Sequence, residues 1–498
     1  MFKVADPFKC ETRVAQIISE QARNGVNFNR NRAGFSVQVL SERIIALDRQ
    51  AVPQMPRMMV KGNEFKKPFL KSGKYSKYVQ QYVDEHGEMD ISAPFTRVYY
   101  TDFDMGKTAK VKDWLLLHGW KPEEFNLKES NPEHVDDYLE ALRESPDRVF
   151  REAILGIPKL RKRLGRTLRK SHVRDHLLQQ RKWPTSPKIP KEDDQFNWEM
   201  RDVDSDVGKL VQQRLVWSHR RSLIKGLISK VRPDGKLSAQ ANPCATPTFR
   251  ANYKIVVNIP AGRSPFGKEI RSMFLPDNKD HVFLGSDASG LELRMLAHYM
   301  NDPEYIDQIL NGDIHTYNQE LAGLSTRDQA KTMIYGLMYG GGDAKIGEIV
   351  GGNKKDGAEI RHKFMSGLPK YAELMDRVTS EAASGSLKGI DGRRILMRRN
   401  YQGDVMLHKS LNTLLQSAGA IVMKYSMIFL DDWVKAENLN AHQVLWQHDE
   451  VQWSCNKDDV ERLSFFTNNY VKAAGDYLNM NIPLESETMI GRSWFECH

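Results

Sequence analysis

The chain has 498 residues, a formal net charge of +9 and a pI near 9.1, so it can bury several cores, in about three lobes, and its charge suits an anionic partner. Its four cysteines, at positions 10, 244, 455 and 497, form no CxxC pair and no even framework, which argues against a zinc ribbon and a secreted disulfide scaffold. Without an apolar leader or a run of about 18 apolar residues, neither secretion nor a membrane span is expected, and a reducing cytoplasm is the expected setting.

In chain order, the apolar spacing predicts helix over residues 8–48, interrupted by a turn at Arg23-Asn24-Gly25. From 51 to 95 the chain turns to Pro, Gly, Lys and Tyr without a sustained period, which predicts a loop-rich insertion. A helix is expected over 107–119. The segment 159–182 holds ten Lys or Arg and one acid between spaced leucines, so it predicts either a basic helix along a phosphate backbone or a solvated charged face.

Two acidic segments lie far apart, DASGLELR at 287–294 and HDEV at 448–451. Each follows an apolar, strand-like run, at 282–284 and at 444–446, so Asp287 and Asp449 are expected where strands end. Two such carboxylates side by side would suit Mg²⁺, which prefers oxygen ligands and leaves positions for phosphate. This pattern alone is compatible with nucleases, phosphatases and polymerases.

Between the acidic segments, Ser325 or Thr326 can cap a helix that ends at the glycines 340–342. Every fourth position of this helix is cationic or aromatic, and these residues form one stripe: Arg327, Lys331, Tyr335 and Tyr339. Arg and Lys can hold a triphosphate, and Tyr can stack on a base or sugar. Ordinary packing is the alternative interpretation of such a stripe taken alone.

Taken in order, DASGLELR, STRDQAKTMIYGLMYGGG at 325–342 and HDEV resemble the three signature motifs of family A DNA polymerases. The chain most resembles the short-tailed phage replicases that use host thioredoxin as a processivity factor. Segments 311–316, 411–420 and 494–498 share this similarity, which covers roughly 8–50 and 95–498. The resemblance implies a DNA-directed DNA polymerase that adds dNTPs to a primer 3′ end, in phage genome replication.

The resemblance also implies a role for each matching residue. Asp287, Asp449 and the backbone carbonyl of Ala288 would hold two Mg²⁺ ions, and Lys331 would donate a proton to the leaving group. The incoming nucleotide would meet Arg327, Lys331, His315 and Tyr335, with Glu292 as the steric gate against ribose. DNA would be contacted by Arg250, Tyr339, Gly340, Asn412, Gln416 and His448. The family carries glycine before the arginine that matches Arg250, whereas this chain has Phe249.

The fold that the resemblance implies is α+β, a right-hand polymerase with helical thumb and fingers around an antiparallel β-sheet palm. We expect a thumb over 1–235 with the insertion at 51–95, palm over 236–300, fingers over 301–400 and a second palm segment over 401–498. The insertion is the expected place for a processivity factor, thioredoxin-like or other, or for direct DNA binding. If the protein is phage-encoded, the expected compartment is the bacterial host cytoplasm, without membrane attachment.

The usual 3′-to-5′ exonuclease domain has no counterpart in the resemblance, so no intrinsic proofreading is expected and an exonuclease could act as a separate partner. Asp102 and Asp104 resemble an exonuclease pair only superficially and are expected in a loop. Two rival functions remain at this point. A single-subunit RNA polymerase shares the Arg, Lys and Tyr pattern, but Glu292 and HDE argue against it. A catalytically idle nucleic-acid-binding descendant is disfavoured because the chemical residues are all retained.

Overall fold

The structure is a computed structural model that describes residues 5–120, 125–129, 182–187, 189, 206–399 and 403–497. The predicted basic helix at 159–182 lies outside these residues, apart from Lys182. The helices of the described part are α1 Pro7–Asn24, α2 Arg30–Ala51, α3 Lys77–His86, α4 Thr108–Leu117, α5 Val207–Ile228, α6 Gly267–Arg271, α7 Leu291–Met300, α8 Pro303–Leu310, α9 Ile314–Ala322, α10 Arg327–Met338, α11 Asp343–Ile349, α12 Lys354–Gly367, α13 Pro369–Ala382, α14 Ser410–Ala436 and α15 Val460–Tyr477.

The strands of the described residues are two to eight residues long. They are β1 Val26–Phe28, β2 Met58–Phe65, β3 Phe95–Thr101, β4 Phe125–Glu129, β5 Lys182–Pro187, β6 Lys236–Leu237, β7 Ala241–Asn242, β8 Asn252–Tyr253, β9 Phe274–Leu275, β10 His281–Ala288, β11 Ser386–Lys388, β12 Arg394–Leu396, β13 Ala441–Gln447, β14 Glu450–Asn456 and β15 Ser486–Gly491. The chain forms two compact units, one of residues 1–37 with 223–498 and the other of residues 38–222. These limits differ from the expected thumb boundary at 235.

The larger unit is built on a four-stranded antiparallel sheet in the order β13-β14-β10-β15. Strand β10 contains the apolar run at 282–284 because it is central in the sheet, and all of it is buried except Asp287. Helix α15 lies against the sheet, where Ser286 and Ser486 both donate to the carbonyl of Thr467, at 3.3 and 2.7 Å. The α+β expectation with an antiparallel palm sheet is therefore confirmed.

The longest helix, α14, carries the centre of the larger unit's core. Apolar residues occur on nearly all of its faces, and most of its 27 residues are buried. The segment Leu407–Ala436 is long and apolar enough to cross a membrane by composition, but 89% of its most apolar window is buried inside the protein. Such burial is typical of a core helix, which must be apolar all round because protein surrounds it.

The smaller unit contains the predicted insertion, which is more regular than expected. Strands β2 and β3 pair antiparallel, and helix α3 packs through Val79 and Val83 on a small core that includes Ile91. The expectation of a loop-rich 51–95 segment is wrong in this respect. No apolar alternation is visible in β2, because its apolar residues are Met58, Met59, Val60 and Phe65 and the four positions between Val60 and Phe65 are Lys, Gly, Asn and Glu. Helix α4 confirms the helix expected at 107–119.

Candidate active site

The two acidic segments meet at one edge of the four-stranded sheet. Asp287 is the next-to-last residue of β10, and Asp449 lies in the turn between β13 and β14. The backbone N–H of Ala288 donates to the carbonyl of Asp449 at 3.2 Å, which fixes the turn against the strand end. Within the sheet, Asp287 lies opposite Glu450 on β14 and Glu487 on β15. Three strands and one turn thus bring four acidic residues together.

The crowding of negative charge changes the acidity of Asp287. This residue is exposed at the edge, yet neighbouring protein atoms displace part of the water around its carboxyl group. This partial burial, together with repulsion by Asp449, Glu450 and Glu487, raises the pKa of Asp287 from 3.8 to about 7. The three charged neighbours that shift this pKa are all acidic. A bound cation would relieve their repulsion, so the donor set fits a divalent metal ion.

The protein's side chains would supply only part of a metal's coordination shell. In the described ranges, no three His, Cys, Asp or Glu side chains are arranged to hold an ion. Glu450 is committed to the interior, since it is 5% exposed and accepts from Gln452 Nε2 at 2.8 Å and from Trp494 Nε1. Asp287 and Asp449 would therefore need backbone carbonyl, water or phosphate oxygens to complete the shell, which is the usual way Mg²⁺ is held.

The turn that carries Asp449 is held by aromatic residues. His448 has a left-handed backbone, with φ of 58°, and its N–H donates to the hydroxyl of Tyr253 at 2.5 Å. The His448 and Tyr253 rings meet edge to face at 5.1 Å, and Trp446 Nε1 donates to the carbonyl of His448 at 2.9 Å. Burial and the positive charge of Arg250 lower the pKa of His448, so its imidazole is neutral at pH 7.

A cleft opens beside this turn and collects several of the predicted DNA-binding residues. Its lining residues are Arg250, Ala251, Tyr253, Leu291, Glu292, Leu415, Gln416, Gly419, Ala420, Met423, Trp446, His448 and Asp449. Asn412 does not line the cleft, but it lies one turn before Gln416 on the half-exposed face of α14. The structure therefore brings Arg250, Gln416 and His448 together with Asp449.

Helix α10 presents the cationic stripe as predicted. Thr326 caps the helix through the N–H of Gln329, and the Gln329 side chain accepts from the N–H of Thr326, which completes a capping box. Arg327, Lys331 and Tyr339 are exposed and Tyr335 is half-buried. The opposite face is buried and comprises Ala330, Met333, Ile334, Leu337 and Met338. Core packing therefore accounts for part of the Tyr335 side chain, but not for the exposed Arg327, Lys331 and Tyr339.

The cationic end of the stripe already has an acidic partner. Arg327 donates from Nε and Nη2 to the two carboxylate oxygens of Asp313, at 2.7 and 3.1 Å. Asp313 also caps α9 by accepting from the N–H groups of His315 and Thr316. Burial, then the charges of Arg327 and Lys331, lower the pKa of His315. The ring of His315 lies 6.5 Å from that of Tyr335, so these predicted nucleotide-binding residues share one region.

At the other end of the stripe, Tyr339 donates to both carboxylate oxygens of Glu292, at 2.7 and 2.9 Å. Burial and this hydrogen bond to Glu292 raise the pKa of Tyr339 to about 12. Gly340 follows with φ of 78°, and a Cβ there would collide with the carbonyl oxygen of His408. Only glycine fits this position without displacing backbone.

Three residues near the site were missed by sequence reasoning. Tyr253 supports His448, Asp313 holds Arg327, and Glu487 adds charge opposite Asp287. The spacing of Asp313 before an apolar helix was a usable N-cap signal. Tyr253 and Glu487 carry no such local signal, because only the pairing of distant strands brings them to the site.

The antiparallel sheet carries two aspartates at one edge, and the helix α10 that follows β10 in the chain carries an exposed row of Arg and Lys. This combination is typical of the right-hand class of nucleic acid polymerases. The family model described as DNA polymerase family A matches residues 170–496. The chain belongs to this family, and the resemblance expected from its motifs is confirmed.

Relatives and a solved structure agree with this assignment. The DNA-directed DNA polymerase of Escherichia phage Phieco32 is 38% identical over 613 aligned residues, covering 99% of both chains. The DNA-directed DNA polymerases of Enterobacteria phage T3 and Escherichia phage T7 are each 29% identical over 90% of this chain, which spans only 60% of their length. The fold matches the polymerase domain of Pol1 from M. smegmatis in complex with DNA primer-template and dNTP, with TM-score 0.65, 16% identity, and coverage of 98% and 70% of the two chains.

Proposed function

We propose that this family A polymerase is a phage replicative enzyme that extends a primer 3′ end on a DNA template by two-metal-ion nucleotidyl transfer. The observation that carries the proposal is the acidic sheet edge, where Asp287 and Asp449 meet and where burial and acidic neighbours raise the pKa of Asp287 to about 7. Two Mg²⁺ ions held by Asp287, Asp449 and the carbonyl of Ala288 would activate the primer 3′-hydroxyl and neutralise the triphosphate.

The chain's own residues would bind and orient the nucleotide. Arg327 and Lys331 would hold its phosphates, because both are exposed on one face of α10. His315, kept neutral by burial and by these two cations, would donate a hydrogen bond to the same phosphates. Lys331 would also donate the proton that the departing pyrophosphate takes up. Tyr335 would pack on the sugar from the same face.

Selection of sugar and base pair would come from residues in and beside the cleft. Glu292 would crowd a ribose 2′-hydroxyl, with Tyr339 holding its carboxylate in place at 2.7 and 2.9 Å. Arg250, Asn412, Gln416 and His448 would contact minor-groove acceptors, which correct base pairs share whatever their sequence. Tyr339 and Gly340 would stack the templating base until the nucleotide arrives.

We place the proposed domains as thumb over 1–235 with the insertion, palm over 236–300 and 401–498, and fingers over 301–400. We propose that the insertion contacts DNA or a processivity factor. Five exposed lysines on it support this role, namely Lys66, Lys67, Lys71, Lys74 and Lys77. We further propose that the enzyme works in the bacterial host cytoplasm and that its partners are primer-template DNA and dNTPs.

We also propose that this chain has no proofreading activity and relies on a separate exonuclease. Asp102 and Asp104 lie in the loop between β3 and α4, and Asp104 accepts from the N–H of Gly106 at 2.8 Å, as a turn residue does. Excision of a mispaired primer end by the purified chain, lost in Asp102→Ala, would contradict this part.

Primer extension with dNTPs and with rNTPs tests the function. Asp449→Asn and Asp287→Asn should each lower the extension rate by at least about a thousandfold while primer-template binding is retained. Asp458→Asn is the matched control, since Asp458 is an exposed aspartate beyond the far end of β14. Preference for rNTPs would favour an RNA polymerase, and absence of extension in the unmodified protein would favour an idle binding protein.

A further inference from the structure

The residue before Arg250 has an unusual backbone conformation. Phe249 has φ of 59°, in the left-handed region that bulky side chains rarely adopt and that glycine adopts freely. The resembled motif carries glycine at this position. The chain has thus kept a glycine-like turn while placing a phenylalanine there, so something in the structure must hold the turn in place.

The Phe249 ring lies against two buried cations. The Arg393 guanidinium is 4.6 Å from the ring centroid and the Lys424 ammonium is 5.8 Å from it. Arg393 is 7% exposed and Lys424 is fully buried, so little water competes for these contacts. Cation–π attraction within about 6 Å is strongest when the cation is desolvated in this way.

Both cations are themselves fixed by carboxylates from other elements. Lys424, on α14, donates to both oxygens of Glu11 on α1 at 2.7 Å, and Arg393 also contacts Glu11. Arg393 is bound in addition by Asp391, through Nε at 2.9 Å and Nη2 at 2.7 Å. The surface beneath the ring is therefore a rigid charged platform, which we call the Arg393–Lys424 platform.

The turn itself is short and closed on Thr246. The N–H of Phe249 donates to the carbonyl of Thr246 at 2.9 Å, and the N–H of Arg250 donates to the Thr246 hydroxyl at 3.0 Å. Arg250 then lines the cleft together with His448 and Asp449. Any rotation of the Phe249 backbone would redirect the Arg250 side chain, because the two residues share one tight turn.

We propose that Phe249 is a positioning residue for Arg250. Its ring, held on the Arg393–Lys424 platform, fixes the left-handed turn that directs the Arg250 guanidinium into the cleft. The inference rests on the proposed function, in which Arg250 contacts the primer terminus. Glycine would adopt the backbone conformation of this turn without strain. In this chain, contact of the Phe249 ring with two buried cations holds the turn instead.

Three substitutions separate the ring from the backbone. Phe249→Tyr keeps the ring, Phe249→Leu removes the ring and keeps a bulky residue at positive φ, and Phe249→Gly removes both the ring and the strain. Phe266→Leu is the matched control, because Phe266 is also left-handed, with φ of 62°, and 9% exposed, but it precedes α6 and does not line the cleft.

The readout is primer extension from a terminal purine and from the same purine without its minor-groove N3 acceptor. The unmodified protein should extend the N3-lacking primer about tenfold more slowly, as expected when a charged donor loses its acceptor, and Arg250→Ala should show no such difference. Phe249→Leu should lose most of the N3 dependence and Phe249→Gly part of it. Phe249→Tyr and Phe266→Leu should keep it.

A double-mutant cycle completes the test. Phe249→Leu should slow extension severalfold in the native background and have no further effect in Arg250→Ala, because it acts through Arg250. The proposal is overturned if Phe249→Leu keeps the N3 dependence, even if it lowers the melting temperature. It is also overturned if Phe249→Leu slows extension equally in the native and Arg250→Ala backgrounds. If the unmodified protein and Arg250→Ala respond alike to the N3-lacking primer, the role of Arg250 itself is wrong and the inference fails with it.

Discussion

Replacing Asp287 with asparagine should stabilise the metal-free protein while it abolishes nucleotide addition. In the folded state the Asp287 carboxylate is partly buried and faces Asp449, Glu450 and Glu487, so its pKa is about 7 instead of 3.8. Asparagine has nearly the same shape and carries no charge. The substitution therefore removes a charge repulsion that lowers the stability of the folded protein at the sheet edge.

The magnitude follows from the pKa shift. A shift of about three units corresponds to roughly 4 kcal/mol if it is converted in full. Because Asp287 is exposed at the sheet edge, solvent and salt screen much of this repulsion, and a gain of about 1 kcal/mol is more realistic. For a folded unit of this size the gain raises the melting temperature by roughly 1–2 °C.

The pH dependence has a definite sign. A carboxyl whose folded pKa is raised binds more protons in the folded state than in the unfolded state, so stability falls as pH rises. In EDTA, the stability of the native protein should fall between pH 4 and 7 and then level off. Asp287→Asn should not show this fall.

Calorimetry or denaturant unfolding with and without Mg²⁺ provides the assay. Mg²⁺ should stabilise the native protein more than Asp287→Asn, and Asp458→Asn should behave as the native protein does in both conditions. A melting temperature of Asp287→Asn in EDTA at pH 8 that is equal to or below the native value would refute the reasoning about charge crowding.

Three further substitutions test other parts of the site. Tyr335→Phe removes only the hydroxyl of a side chain that would pack on the sugar, and it should strengthen discrimination against dideoxynucleotides, measured as the ratio of ddNTP to dNTP incorporation. An unchanged ratio would show that the Tyr335 hydroxyl takes no part in sugar selection. Glu292→Ala should raise rNTP incorporation at least about tenfold without improving dNTP use, whereas an unchanged sugar preference would exclude it as the steric gate. Gly340→Ala should destabilise the protein by about 1–3 kcal/mol in urea unfolding, because φ is 78° and a Cβ meets the His408 carbonyl, while Gly342→Ala, with open space, should change stability by only a few tenths.

The local features of the site could be predicted from sequence because short-range rules determine them. The capping box at Thr326, the exposed stripe on α10 and the strand before Asp287 follow from spacing and propensity within a dozen residues. The regular structure in 51–95 was missed, since β2 has few apolar residues and is defined by its pairing with β3.

The conformation of Phe249 shows where sequence reasoning stops. Its departure from the family's glycine was visible in the sequence, but the compensation was not. Arg393 and Lys424 lie more than 140 positions further along the chain, and nothing in their local sequence indicates that they meet the ring. A residue that looks unfavourable in the sequence can be stabilised by contacts with residues that only the folded structure brings near it.

The acidic sheet edge and the cationic stripe would have opposite electrostatic effects on a bound triphosphate. In the proposed function, Arg327 and Lys331 would attract a triphosphate, whereas Asp287 and Asp449 would repel it. Salt would screen this repulsion only beyond about 8 Å. In the proposed function the carboxylates would assist the reaction only with a cation between them and the phosphates. Burial and acidic neighbours raise the pKa of Asp287, and such a cation would relieve the part of this effect that comes from repulsion. We therefore expect the same residues to lower stability in the metal-free enzyme and to couple metal binding to nucleotide binding, since each ligand would reduce the repulsion that opposes the other.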